Sequence, residues 1–248
     1  MAEQNEQRAA AEAVAAPQIR QPNGGGEPPP RRPPPPPPPP PPPVPSFQPA
    51  FYIFRLDSFT ITNTRSVHED TDHVTVGLKV GDAVPAPQTN HMGDVNNGTF
   101  QVGLQFGPTL VATPNEPVAF NYQIVNNGHA SNADIEQKLS AGAIALLAKV
   151  FSLSTPWTAI LGVVINFVFG FAFADCDGPV AVDQINLTGQ SLWAWTHGVG
   201  VHSETKFYPG TDSATGCGSN SEYFVTWSIV GAGLASTSAL TGVLAPQF

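Results

Sequence analysis

The densest run of ionisable side chains in the chain is His68-Glu69-Asp70-Thr71-Asp72-His73. Carboxylates this close repel one another unless water solvates them or a cation bridges them, and hard oxygen donors of this kind suit Ca²⁺. Glu69, Asp70 and Asp72 are therefore candidate calcium ligands, with Asp94-Val95-Asn96 and the pair Asp175/Asp177 as further donors for the same rim. The plainer expectation for 68–73 is a solvated acidic turn between two strands. The Asp94 loop is not an EF-hand, because its fifth position is Gly98 and its twelfth Gln105. Zinc needs about three or four convergent nitrogen or sulfur ligands. His68 and His73 are five residues apart, as are His197 and His202, so on a strand each pair would face opposite sides.

Nucleophile and cofactor motifs are absent from the sequence. There is no P-loop, no Gly-x-Ser-x-Gly and no Cys-x-x-Cys. Gly231-Ala232-Gly233 follows a good strand pattern, but Ser236 stands where the third glycine of a dinucleotide loop belongs and only a dozen residues remain, too few to complete a βαβ unit. A Cys-His pair would be assembled by the fold, and nothing in the spacing of Cys176 or Cys217 selects one. The expectation is a protein that is not an enzyme and holds no cofactor, calcium being the one candidate. Trp193 and Trp195, taken as one face of a strand, are expected in the core. The alternative is a sugar-stacking pair beside Asn186 and Gln190.

The elements that must position these groups are mostly strands. His73–Val80 puts Val74, Val76, Leu78 and Val80 on one face; Thr99–Phe106 does so with Phe100, Val102, Leu104 and Phe106, and Val118–Ile124 with Val118, Phe120, Tyr122 and Ile124. This period of two marks half-buried antiparallel strands. Asn97-Gly98 and Asn127-Gly128 supply turn residues, and prolines 85, 87, 114 and 117 lie between the runs. Further strands are read at Phe51–Thr62, Val180–Leu187, Gln190–Val201 and Glu222–Val230. The fold class is mainly β, an antiparallel sandwich or open barrel of about seven or eight strands.

A helical insertion over 133–174 interrupts the pattern. Ala133–Phe151 carries Ile135, Leu139, Ala143, Leu146, Leu147 and Val150 at helical spacing, with Ser131 or Asn132 as N-cap and Asp134 and Glu136 in the first turn. Thr155 and Pro156 open a second helix running to Ala174 without a single charge. Its eighteen residues from Trp157 would span about 27 Å at ~1.5 Å per residue, just short of a hydrocarbon core of ~30 Å. One reading buries this helix in the domain. The other releases the two-helix hairpin into a bilayer, with Trp157, Val164, Phe167 and Phe171 as membrane-contacting residues.

Composition divides the chain in two. Of 27 prolines, 18 lie in residues 1–49, including the unbroken run Pro33–Pro43 after Arg31 and Arg32. Proline fixes φ and lacks an N–H, so this run is a polyproline II rod about 34 Å long at ~3.1 Å per residue. Residues 1–50 thus read as a disordered tail with a stiff spacer, and 51–248 as one acidic β-rich domain. Arg31, Arg32 and the run from Pro33 to Pro43 are the candidate partner-binding residues for an SH3, WW or profilin-type groove.

The tail's charges cancel. The net −9 therefore resides in 51–248, as 15 acidic residues against six basic ones, a balance that excludes a phosphate-binding nucleic-acid partner. Met1–Ala16 lacks the basic and apolar regions of a secretory signal, which points to the cytoplasm and reduced thiols, with non-classical export as the alternative route. The functional expectation is an interaction or structural protein that presents an acidic β-rich domain on a polyproline spacer. The alternative is a membrane-active, pore-forming or toxin-like protein working through 133–174.

Overall fold

The computed structural model describes residues 46–65, 70–127, 131–149, 159–160, 162–164, 177–210 and 221–236, all within one compact unit, Val44–Phe248. Strand β1 (Ala50–Asn63) shows how pattern becomes architecture. Tyr52, Phe54 and Leu56 are buried on even positions, and Phe59 and Ile61 on odd ones. The switch coincides with a register shift between Leu56 and Ser58 against both neighbouring strands. A bulge there adds one residue and turns the following side chains back to the core.

The remaining elements follow in order: β2 (Asp70–Val80), β3 (Gln88–Val95), β4 (Gly98–Val111), β5 (Pro117–Asn126), α1 (Asn132–Leu147), β6 (Gly178–Thr188), α2 (Gly189–Thr196), β7 (Val201–Tyr208) and β8 (Glu222–Leu234). The strands form two four-stranded sheets, ordered β4-β1-β8-β7 and β3-β2-β5-β6, and every described pairing within them is antiparallel. The expected mainly β architecture is therefore an eight-stranded sandwich. Phe54 from β1 meets Phe120 from β5 across it, with ring centroids 6.0 Å apart. Tyr52, Phe59, Leu78, Ile124 and Trp227 fill the same core.

The insertion between β5 and β6 covers the second sheet from outside. Ser131 caps α1 by accepting from the Asp134 N–H, and Ile135, Leu139, Ala143 and Leu146 are buried. Residues 159–160 and 162–164 are also helical. Ile160 and Val164 pack into one apolar cluster with Leu139, Leu146, Val125 and Val182. At Gly77 an added Cβ would lie 2.7 Å from Asn121 Oδ1 and 3.3 Å from the Ala143 Cβ, so glycine is what admits α1 this close to β2. Asn121 and Gln123, polar residues on the covered face of β5, donate to the helix carbonyls of Ala143 (3.0 Å) and Leu139 (3.4 Å). Among the described residues, no helix is long and apolar enough to cross a membrane.

Three expectations are corrected. The segment Gln190–Val201 is not a strand: Thr188 accepts from the Ser191 N–H and starts α2, whose buried Gly189, Leu192, Trp193 and Thr196 fall at helical spacing. His197, at φ 50°, ends the helix in the left-handed conformation, and β7 begins at Val201. Trp193 and Trp195 are therefore neighbours on a helix, not one face of a strand. The acidic segment is not wholly a turn either, since β2 starts at Asp70. Strand β3 has no counterpart in the period-two pattern, because QTNHMGDV lacks apolar alternation.

Candidate functional site

Asp70 and Asp72 continue the even-numbered row of Val74, Val76 and Leu78, so β2 carries them inward, and both are fully buried. Burial without partners would be costly for two carboxylates. Asp70 accepts from the Arg65 backbone N–H at 2.7 Å and from Asn126 Nδ2 at 3.1 Å. The Tyr223 hydroxyl, from β8 of the opposite sheet, lies 2.7 Å from Asp70 Oδ2 and 2.9 Å from Asp72 Oδ2. One O–H proton serves only one of them, so a proton on Asp72 completes the second bond. Burial and the neighbouring charge of Asp70 push the Asp72 carboxyl well above the usual carboxylate range, with Tyr223 pulling the other way. Burial likewise pushes the Tyr223 phenol up.

Arg65 supplies the balancing charge. Its guanidinium rests over Gly178, where an added Cβ would lie 3.2 Å from Nη2, and it interacts electrostatically with Asp70 and Asp177. Asp177 also accepts from Asn127 Nδ2 at 3.2 Å. Asp70 and Asp177 thus flank Arg65, while Asp70 and Asp72 share the Tyr223 hydroxyl.

Among the described residues no group of three or more His, Cys, Asp or Glu side chains is placed to hold a metal ion. Asp94 is exposed and accepts from Thr71 Oγ1 at 2.7 Å. Glu69, Asp175, Cys176 and Cys217 lie outside the described residues, as do Arg31, Arg32, Pro33, Pro43, Trp157, Phe167 and Phe171. Val164, the remaining candidate membrane residue, is buried in the apolar cluster.

Two further polar groups were missed in sequence. Tyr122 and Tyr208 share a hydrogen bond of 2.5 Å inside the sandwich, and Tyr208 donates to Asp183, which Lys206 Nζ meets at 2.6 Å. His73 and His91 stack with ring centroids 4.6 Å apart, and Asn132 at the start of α1 lies 3.1 Å from His91 Nδ1. Burial, then the proximity of His91, lowers the His73 pKa, against smaller opposing effects of Glu136 and the Asn127 backbone.

No protein-family model and no curated protein matches the chain.

Arg65 was legible only as the nearest cation to the acidic run. Tyr223 gave no signal, because its partnership crosses 151 residues of chain to Asp72. Trp193 is buried against Phe47, centroids 6.3 Å apart, while Trp195 stacks on His202 at 4.0 Å.

Proposed function

We propose that the protein is a non-enzymatic interaction module, an acidic β-sandwich presented on the proline-rich segment Pro33–Pro43. One observation carries this reading: the densest ionisable cluster of the described residues is turned inward and consumed in internal hydrogen bonds and charge pairs, whereas apolar side chains are left outside. Val201 and Phe207, towards opposite ends of the edge strand β7, are 61% and 45% exposed, with Val199 and Leu234 exposed near the first and Phe224 beside the second. Large apolar groups exposed along one sheet edge suit protein contact better than catalysis.

The spacer component is tested by replacing Pro33–Pro43 with eleven Gly/Ser residues and measuring the maximum dimension by small-angle scattering. A rod of about 34 Å gives way to a coil of roughly 18 Å, so the dimension is expected to fall by about 15 Å. An unchanged dimension would overturn the spacer reading.

The stacked pair His73/His91 beneath α1 favours a second reading, a membrane-active protein working through 133–174. Protonating His73 in this buried place opposes the seating of α1, with Glu136 the nearby compensating charge. Dye release from vesicles at pH 5.5 but not at pH 7.4 is the expected result on that reading. Intact vesicles at both values would remove it.

A further inference from the structure

Residues Lys79, Ala119 and Asn186 sit side by side on the outer face of the second sheet, on β2, β5 and β6. Helix α1 stops short of this row, and Leu147 and Lys149 at its end form one wall of a groove of about 300 Å³; Ser191, in the first turn of α2, closes the other. Gln184 Nε2 donates to the Lys149 carbonyl at 3.0 Å and ties that wall to β6.

Charge is what distinguishes the groove. Lys79 and Lys149 are two of only six basic residues after position 50, and among the described residues no acidic one lines the cavity. Neither ammonium group is in an ion pair among the described residues. The N-terminal turn of α2 adds the positive end of a helix dipole. Against a domain of strongly negative charge this is a local positive site. Its floor is apolar at Pro117 and Ala119 on β5, and Leu147 makes the wall apolar as well.

We propose that this groove binds a small amphipathic anion, a linear carboxylate of medium chain length, with the head group between Lys79 and Lys149 and the alkyl chain on the apolar floor. The volume is at the small end of the range of about 300–1,000 Å³ usual for small-molecule sites. Among the described residues the lining offers no aromatic ring to stack a base or sugar, and the apolar floor gives inorganic anions nothing to bury. A chain with one charged end uses both halves of the site.

Calorimetric titration of the full chain with butyrate, hexanoate and octanoate tests the proposal. Affinity is expected to rise by roughly fourfold per added methylene until the groove is full. Octanoate is expected to bind at least tenfold more tightly than 1-octanol. The double variant Lys79→Met/Lys149→Met keeps the apolar stems and is expected to lose that preference, whereas Lys138→Met, on the exposed side of α1, keeps it. The wild-type comparison of acid with alcohol needs no variant to fold. Absence of octanoate binding below about 10 mM, equal affinity for acid and alcohol, or an undiminished preference in the double variant would each overturn the proposal.

Discussion

Asp72 carries a proton in the folded state that it gives up on unfolding, because burial and the charge of Asp70 raise its pKa. The stabilisation from this group is complete below the ordinary carboxylate value of ~3.9 and is lost as pH rises through the raised folded value. Asp72→Asn removes that proton dependence and retains an N–H donor toward Tyr223. The variant is expected to gain on the wild type, by several degrees in melting temperature, as pH is raised from 5 to 8. A gap that stays constant with pH would show that Asp72 is ionised in the fold.

His73 acts in the opposite sense. Its folded pKa is lowered by burial and by His91, so stability is complete above the unfolded value near ~6.5 and falls as pH drops below it toward the folded value. His73→Gln should flatten the acid side of the melting-temperature profile, and a profile of unchanged slope would contradict this.

At the scale of elements, the insertion explains why strands β2 and β5 read as half-exposed in sequence yet are buried on both faces. Asn121 and Gln123 look like solvent positions, and their amide groups instead bond to the carbonyls of α1. Alternation reports that a residue faces away from the core, not what lies on the other side. Val164 belongs to the cluster that seats this layer. Val164→Ala should lower stability by roughly 1–3 kcal/mol through lost burial, and Val164→Asp should abolish folding because an unpaired charge would be buried. A melting temperature unchanged in Val164→Ala would show that Val164 is not in a core. Helix α2 was misread for a local reason. Leu192, Trp193 and Trp195 are aromatic and apolar in a way common to both structures, and the Thr188 cap, which decides between them, is a one-residue signal.

For the whole molecule, the folded body reaches back beyond the first strand. Phe47 packs on Trp193, and the Ala235 N–H donates to the Pro49 carbonyl at 2.9 Å. Removal of residues 1–45 should leave the melting temperature unchanged, whereas removal of 1–49 should lower it measurably. Equal melting temperatures for the two truncations would mean that the Phe47 contact contributes nothing. The sequence by itself determined the mainly β class, most strand positions, the helical insertion and the division into a proline-rich segment and an acidic body. These depend on side-chain periodicity and composition, which are local. Only the tertiary structure decided the strand order, the inward turn of Asp70 and Asp72, and their meeting with Arg65, Tyr223 and Asp177. Those partners are brought together by sheet pairing and sheet stacking, and no spacing along the chain encodes which distant residue will lie opposite. The groove lined by Lys79 and Lys149 has the same origin: it exists because α1 ends before its sheet does.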